Sequence, residues 1–328
     1  MRTAFPAQRT DVGADEGPLV CVAIPVYNGA AFIERAVRSA LRQTYPRLRV
    51  FVADNVSTDE TRDIVGAIDD PRLECRFFAE HVPVASSFGR ALQYASGDMV
   101  LLLAADNELE PDAIATLVAT LRKHAHCGLA YGRISVVSDD ADRRFLGQAI
   151  RAPRVGVVED LERQILEDGY NLLLDGVLFK RDLPALQMDP EAAGACDLDL
   201  LLRVGRAGVQ AVGIAASVAV MREHKAALSE KREAMWREAL EVLDRRRHGS
   251  RHAALYARRM GRLLTWLTVY LVRRGERAGA RSYLRRFGAA VRPLDRALVA
   301  GMIALPALTA APLAARRLMA WRSRRAMS

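Results

Sequence analysis

The chain first becomes regular at Leu19-Val-Cys-Val-Ala-Ile24, a short apolar run that stops at Pro25. Such a run, bounded by turn residues, is typical of a strand buried on both faces of a parallel sheet. Asn28-Gly29 supplies a turn, and apolar side chains then recur at helical spacing from Phe32 to Leu41. These residues predict the first strand and helix of an α/β fold.

The same alternation continues to about residue 136. Further strands are predicted at 49–53, 73–78, 99–105 and 128–136, with helices at 57–68, 86–95 and 111–124 between them. Alternation at this spacing predicts right-handed βαβ units in a mainly parallel sheet flanked by helices. The pattern weakens between Ser138 and Gly169, where we expect a loop-rich insertion covering a site. It resumes with a strand at 176–179, a helix at 196–203 and a strand at 209–221.

Composition excludes disorder and a disulfide miniprotein, because half of the 328 residues are hydrophobic and can form a sizeable core. The four cysteines are far apart in sequence and have no histidine at metal-ligand spacing, which favours reduced thiols over a zinc ribbon. They are Cys21, Cys75, Cys127 and Cys196. The first 18 residues contain five charges and lack the apolar segment of a secretory signal, so we expect a cytosolic catalytic part.

The net charge of +9 conceals two parts of opposite sign. Residues 1–224 carry 24 basic and 32 acidic side chains, whereas residues 225–328 carry 24 basic and 7 acidic ones. After Ser229 the composition changes to Ala, Leu and Arg in long helical patterns. The average charge therefore describes neither part, and we place a boundary at about residue 229.

Two acidic residues end predicted strands, Asp54 after the second and Asp106 after the fourth. The carboxyl ends of the strands form the ligand crevice of an open α/β sheet, so both carboxylates should face one cleft. Either aspartate alone could equally be a helix cap. Their occurrence on one edge favours a binding site.

Three blocks at these strand ends resemble those of family 2 glycosyltransferases, which are inverting enzymes of the GT-A fold. They are Ile24-Pro-Val-Tyr-Asn28, Asp54-Asn-Val-Ser-Thr-Asp-Glu-Thr61 and Gly97-Asp-Met-Val-Leu-Leu-Leu-Ala-Ala-Asp-Asn107. Asp197-Leu-Asp-Leu-Leu-Leu-Arg203 is similar to the general-base segment of that family, and Arg222-Glu-His224 with Leu228-Ser229 to the block that closes its catalytic domain. Each block alone is a weak signal, but the ordered set is a strong one.

The resemblance implies a nucleotide-sugar donor, with a preference for uridine, and a site for its base. Asp54 would hydrogen-bond the base, while Pro25, Tyr27 and Asn28 would shape the nucleotide pocket. Ala105, next to the metal residue Asp106, would also line the donor site.

The resemblance also implies roles in the chemistry. Asp106 would coordinate Mg²⁺ or Mn²⁺ on the donor diphosphate, because a hard cation prefers carboxylate oxygen and stabilises the leaving phosphate. His224 would be a late ligand to the metal, although Arg222 or Lys225 could contact the diphosphate instead and His224 could be a surface histidine. Asp197 would accept the proton of the acceptor hydroxyl as general base.

The sequence departs from the family pattern at two of these positions. Ala104 replaces the first carboxylate of the Asp-X-Asp motif, which predicts weakened or rearranged metal binding in which Asn107 could supply an amide oxygen. Cys196 replaces the acid that usually precedes the base. Asp199 should point away from Asp197 and be solvated or a cap.

The basic tail contains an uncharged stretch of 19 residues, 297–315, about as long as a bilayer core requires. Its two prolines and flanking arginines make a helix lying in the membrane surface at least as plausible as one that crosses it. The run 263–272 suits an interfacial or core helix. An anionic lipid surface is therefore the expected partner, with a solvated helical bundle packed on the transferase domain as the alternative. The tail aromatics lie in apolar runs rather than among the arginines, which argues against nucleic acid.

Three regions are therefore expected: a flexible N-terminus at 1–17, a GT-A domain at 18–229 and a basic helical tail at 230–328. The leading hypothesis is an inverting, metal-assisted glycosyltransferase on the cytoplasmic face of the inner membrane, acting on a saccharide or lipid-linked acceptor. The alternatives are an inactive GT-A scaffold that binds a nucleotide sugar or assembly partner, favoured by Ala104 and Cys196, and a nucleotidyltransferase. The latter normally needs a Gly-rich basic loop after the first strand, unlike the sequence here.

Overall fold

The computed structural model describes residues 17–138, 154–168, 173–223 and 232–306, together with Thr309. Its strands are β1 Val20–Val26, β2 Leu48–Asp54, β3 Leu73–Phe77, β4 Met99–Leu102, β5 Glu108–Leu109, β6 Leu129–Ser138, β7 Gly156–Val158, β8 Val177–Lys180 and β9 Ala211–Glu223. Its helices are α1 Ile33–Leu41, α2 Thr61–Gly66, α3 Val84–Tyr94, α4 Ala113–Lys123, α5 Leu161–Asp168, α6 Cys196–Arg206, α7 Arg232–Arg246, α8 Ala253–Arg273, α9 Arg277–Phe287 and α10 Pro293–Ala304.

The strands form one mixed sheet in the order β3-β2-β1-β4-β8-β6-β9-β5, and β7 pairs with β9. The first four strands in this order are parallel, as the alternating sequence predicts. β8 then runs antiparallel to both β4 and β6, while β6 and β9 are parallel to each other. The α/β fold with a mixed sheet flanked by helices is confirmed.

The core consists of two apolar layers, one on each face of the sheet. Helices α1 and α4 cover one face, on which Ile33, Val37 and Leu117 are fully buried. The other layer includes residues of α3, α5 and α6 and continues without a break into the C-terminal helices. Every residue of β1 is buried, because both faces of this central strand are covered.

Residues 154–168, the described part of the predicted loop-rich insertion, contain regular structure. They contain β7 and α5, and Leu161, Ile165 and Leu166 of α5 are buried against the second layer. Helix α5 is short and has a charged or polar residue at five of its eight positions, so its apolar periodicity is weak in sequence.

The C-terminal helices pack on the transferase-like domain as a helical bundle. Leu240, Leu243 and Tyr256 are fully buried in the same layer as α5 and α6. The run 263–272 lies in α8, and six of its side chains are buried, so it belongs to a core helix rather than an interfacial one. Within the described residues, no helix has the length and apolar character that crossing a membrane requires.

Two predicted features lie largely outside the described residues. The expected flexible segment 1–17 is described only at Gly17, and the uncharged stretch 297–315 only as far as Pro306 and at Thr309. Helix α10 covers the beginning of that stretch and ends at Ala304, two residues before Pro306.

Candidate active site

The register of the parallel strands places Asp54 and the Asp106 loop on one edge of the sheet. Asp54, the last residue of β2, pairs with Val26 at the end of β1. The Leu103 N–H at the end of β4 donates to the Ala23 carbonyl of β1, 3.0 Å away. The loops after β1, β2 and β4 therefore emerge together from the carboxyl edge, where ligands bind in this class of sheet.

Asn28 joins the loops that follow β1 and β2. Its backbone has a φ of 50°, a left-handed conformation that asparagine tolerates better than most residues. Its N–H donates to Ser57 Oγ at 2.9 Å, and its side-chain oxygen accepts the Thr58 N–H at 2.8 Å. Asn28 therefore shapes the edge of the sheet through contacts with the second loop, and its neighbour Pro25 is buried within β1.

Asp54 is completely buried, and described protein groups already bind its carboxylate. Oδ2 accepts a hydrogen bond from Arg62 Nε at 2.8 Å, and the Ser57 N–H approaches the two oxygens at 3.3 and 3.2 Å. Arg62 itself is 40% exposed and lies over the Phe77 ring. A nucleobase that reaches Asp54 would therefore also meet the Arg62 guanidinium.

Tyr27 forms an exposed aromatic wall beside these loops. Half of its surface is exposed, and its ring contacts His81 edge to face with centroids 4.6 Å apart. The loop that carries His81 is fixed by a pair of hydrogen bonds between the Asn55 amide and the backbone of Val82. The described residues thus offer an aromatic surface on which a planar ring could stack.

A buried carboxylate in the turn just before β8 holds the loop that carries Asp106. Asp175, in a 3-10 turn at Leu174–Gly176 just before β8, accepts the Ala104 N–H at 2.7 Å and a hydrogen bond from the Asn107 side chain. Burial raises the pKa of Asp175 to about 6, and those two hydrogen bonds limit the rise. The backbone of Ala104, where the family motif has its first acid, therefore donates a hydrogen bond to a buried acid.

Asn107 is not positioned to give its amide oxygen to a metal. It is 5% exposed, and its Oδ1 accepts the Arg222 N–H at 3.1 Å. The Arg222 guanidinium in turn donates to Glu108 at 3.0 Å. The proposed role of Asn107 as a metal ligand is therefore wrong, because its oxygen already accepts a hydrogen bond from β9 and its side chain already donates one to Asp175.

The donor set suits a divalent cation that arrives with a diphosphate. Asp106 is partly exposed on the carboxyl edge, and the described residues contain no group of three or more potential metal ligands. Mg²⁺ is commonly bound by one or two carboxylates together with substrate phosphates and water. Residue 224, the predicted histidine ligand, lies outside the described residues.

Asp197 is the second residue of α6 and is partly exposed. Four residues separate α6 from β9, and the alternation of helices and strands leads us to expect the N-terminus of α6 at the carboxyl edge. Cys196, which stands where the family usually has an acid, is buried, and burial raises the pKa of its thiol. The thiol therefore stays protonated and contributes no second carboxylate-like charge beside Asp197.

The expectation that Asp199 is solvated or a helix cap is wrong. Asp199 is fully buried, and its two oxygens accept hydrogen bonds from Arg203 Nε at 2.8 Å and from Arg246 Nε at 2.7 Å. Helical geometry puts it on a different face from Asp197, as predicted, but that face packs against α7 instead of water.

Sequence reasoning overlooked three residues at this edge: Arg62, His81 and Asp175. Asp175 did carry a signal, because it is the one charge in the apolar run Leu172-Leu-Leu-Asp-Gly-Val-Leu-Phe179. A lone acid in such a run is costly to bury without partners, which makes it a candidate for a polar network. Arg62 and His81 lie in ordinary polar stretches and gave no comparable signal.

The family model described as Glycosyl transferase family 2 matches residues 21–175, just under half of the chain. This segment of the chain is therefore similar to glycosyl transferase family 2. The matched segment runs from β1 to Asp175 and includes Asp54 and Asp106 on the carboxyl edge.

A named glycosyltransferase and a named polysaccharide synthase share this part of the sequence. TuaG of Bacillus subtilis, a glycosyltransferase assigned to teichuronic acid biosynthesis, is 27% identical over 160 residues, which are 48% of this chain and 62% of TuaG. Chondroitin synthase of Pasteurella multocida is 36% identical over 98 residues, which are 30% of this chain and 10% of that protein. The chain thus spans less than two thirds of the curated relatives it matches.

Solved structures share the fold over most of the chain. TarS 1–349 of S. aureus, in complex with UDP-GlcNAc, has a TM-score of 0.67 at 15% identity and covers 87% of each chain. The mannosyltransferase PcManGT of Pyrobaculum calidifontis, in complex with GDP-Man and Mn²⁺, has a TM-score of 0.55 at 21% identity, covering 97% of this chain and 92% of that one. The GT-A fold predicted from the sequence is therefore confirmed.

Substitution of Asp175 should disturb the Asp106 loop. Asp175→Ala removes the acceptor of the Ala104 N–H and of the Asn107 amide, and buried donors without partners cost about 1–3 kcal/mol. We expect the free energy of unfolding to fall by about this amount in urea denaturation. Asp182→Ala, at an exposed position, is the matched control and should change stability by less than about 0.5 kcal/mol. Equal stability of the two variants would contradict the role assigned to Asp175.

Proposed function

We propose that this chain is an inverting glycosyltransferase that moves a sugar from a nucleotide-diphosphate donor, preferably a UDP-sugar, to a hydroxyl acceptor. The observation that carries the proposal is that Asp54 and the Asp106 loop lie on one edge of the sheet; in the proposal Asp197, at the start of α6, joins them. TarS and PcManGT, which share the fold, have solved structures in complex with UDP-GlcNAc and GDP-Man. The named relatives work in polysaccharide synthesis, and an acceptor in cell-envelope polysaccharide or glycolipid synthesis fits this group.

In this proposal the nucleoside binds where the loops after β1, β2 and β3 meet. Tyr27 offers its exposed face to the base, and Pro25 and Asn28 hold the loop that carries it. Asp54 accepts a hydrogen bond from the base, and Arg62 shares its carboxylate. The Arg62 side chain, 40% exposed with its guanidinium over the Phe77 ring, is accessible enough to shift as the base enters.

Asp106 would hold Mg²⁺ or Mn²⁺ against the donor diphosphate, with Ala105 beside it and His224 as a further ligand. When bound, the metal ion neutralises the charge that develops on the leaving phosphate. Asp175 and Asn107 fix the backbone on which Asp106 stands.

Asp197 would remove the proton from the acceptor hydroxyl as that oxygen attacks the anomeric carbon. The new bond forms on the face opposite to the departing nucleotide, so the configuration inverts in one displacement. An aspartate at a helix N-terminus is stabilised in its charged form by the helix dipole, which keeps it available as a base.

The base assignment predicts that Asp197→Asn loses transfer and keeps donor binding. We expect the release of UDP from UDP-GlcNAc, or from the nucleotide sugar that gives the largest thermal shift, to fall by about 100-fold or more. The shift in melting temperature caused by that donor with Mn²⁺ should be unchanged, because donor contacts are intact.

Asp182→Asn serves as the control. Transfer that survives Asp197→Asn would show that another group is the base. If no nucleotide sugar in a panel of UDP- and GDP-sugars binds or turns over, the inactive scaffold becomes the better description.

The metal assignment predicts that nucleotide binding depends on a divalent cation through Asp106. We expect EDTA to weaken UDP binding in calorimetry and added Mn²⁺ to restore it. Asp106→Asn should abolish this dependence, because an amide is a poorer ligand for a hard cation than a carboxylate. Glu110→Gln, three residues after the Asp106-Asn107 pair, is the control; UDP binding that ignores both EDTA and Asp106→Asn would argue against a metal at this position.

We further propose that the C-terminal helices hold the enzyme to an anionic membrane surface on the cytoplasmic side. Helix α10 presents Leu294, 82% exposed, and the exposed Leu298, and Leu305 is exposed just after the helix ends. Leu294 and Leu298 are four residues apart and share one face of α10, whereas the buried Val299 and Ile303 lie on another. Exposed arginines of α9 and α10 would supply the attraction to anionic lipid.

The membrane proposal predicts that vesicles containing phosphatidylglycerol bind the protein more strongly than phosphatidylcholine vesicles. Leu294→Glu should weaken that binding by about tenfold or more, because it removes one leucine side chain from the lipid. Val155→Glu, at a 61% exposed position away from α10, should have no effect. Binding that is equal for both lipids, or unaffected by Leu294→Glu, would contradict the assignment of this face.

A further inference from the structure

The segment that leads into Asp197 is held in an unusual backbone conformation. It is the 3-10 segment Pro190–Ala195, which ends immediately before the first residue of α6. Ala193 within it has a φ of 48° and a ψ of −130°, which residues with a side chain rarely adopt. Such a conformation persists only where the surroundings impose it, so the contacts of this segment decide where α6 begins.

Those contacts come from α7, beyond the predicted end of the transferase domain. Glu238 accepts the Gly194 N–H at 3.0 Å. Arg245 donates to the Glu191 carboxylate at 2.7 Å and to the Glu191 carbonyl at 2.9 Å. Arg246 pairs with Asp189, the residue immediately before the segment.

Arg246 also connects this segment to the body of α6. Its Nε donates to Asp199 at 2.7 Å, two residues after the proposed base. The other oxygen of Asp199 is bound by Arg203, which also donates to the Ala185 carbonyl at 2.8 Å. Helix α7 therefore holds both the approach to Asp197 and the turn that contains it.

We propose that α7 is a positioning element of the transfer reaction, in which Arg246 and Glu238 fix the placement of the Asp197 carboxylate. This inference rests on the proposed role of Asp197 as general base. Arg246 and Glu238 act through the 189–199 segment and contact no substrate themselves. The boundary of the functional unit then lies after α7, although the sequence composition changes at residue 229.

Two pairs of variants on and next to α7 test the inference. Glu238→Ala and Arg246→Ala remove the contacts with the segment. Glu241→Ala, on the same helix, and Arg247→Ala, one residue after its end, are the matched controls, because Glu241 pairs with Arg286 and Arg247 with Asp244. We expect the first pair to lower kcat about 10- to 100-fold, since a small displacement of a reacting group has effects of this size. The controls should keep the kcat of the unmodified protein.

A positioning role and a merely structural one differ in three further measurements. The KM for the nucleotide sugar and the calorimetric Kd for UDP with Mn²⁺ should be unchanged in Glu238→Ala, because the donor site is distant in sequence and carried by other loops. Amide hydrogen exchange of 189–198 should accelerate in Glu238→Ala and stay unchanged in Glu241→Ala. Glu238→Gln, which retains an acceptor for the Gly194 N–H, should recover most of the lost kcat.

The possible failures are distinguishable. If Asp197→Asn lacks transfer while Glu238→Ala and Arg246→Ala retain full kcat, the inference is overturned and the proposed function stands. It is equally overturned if Glu238→Ala weakens UDP binding as much as it lowers kcat, or leaves exchange in 189–198 unchanged. Should Arg246→Ala fail to fold, Glu238→Ala decides the question, since that side chain is 19% exposed and carries a single contact to the segment. If Asp197→Asn retains transfer, the base assignment itself fails.

Discussion

The buried carboxylate of Asp199, bound by two arginines from two different helices, is the constraint on which the arrangement of the second layer depends. Removing one partner from such a buried pair costs about 3–5 kcal/mol, because the remaining charge stays in a medium that solvates it poorly. Arg246 therefore holds α7 against α6, while Arg203, on α6 itself, pairs with the other oxygen of the carboxylate. The position of α6 then fixes Asp197 at its N-terminus, and the position of α7 fixes where the remaining C-terminal helices begin.

The parallel half of the sheet could be predicted from sequence because its strands are buried on both faces. Met99–Leu102 and Val20–Val26 are apolar at nearly every position, and each is followed by a turn and a polar strand end. Those local patterns are sufficient to place Asp54 and Asp106 on one edge, since parallel strands share a direction. The blocks that resemble family 2 enzymes lie at the same strand ends, so the local pattern and the resemblance point to one site.

The polar networks below the site could not be predicted, because their partners are distant in sequence. Asp175 binds a backbone N–H 71 residues before it, and Asp199 binds an arginine 47 residues after it. Sequence periodicity records which face of an element is apolar and contains no information about what packs against that face. The spacing of Asp199 and Arg203, four residues apart on one helix, is compatible with a solvated ion pair. Only the packing of α7 buries that pair.

The packing of α7 also gives a structural reason for the opposite net charges of residues 1–224 and 225–328. Part of the positive charge of the tail faces the acidic domain: Arg245 and Arg246 meet Asp189, Glu191 and Asp199, while Arg251 and His252 meet Asp160. These contacts account for part of the positive charge of the tail without any lipid, since the two parts neutralise each other where they touch. The case for a membrane surface therefore depends on α9 and α10, where arginines and the leucines of α10 are exposed. The basic side chains of residues 225–328 thus fall into two groups. One group pairs with acids on both sides of Asp197 in sequence, and the other is exposed and available to a partner.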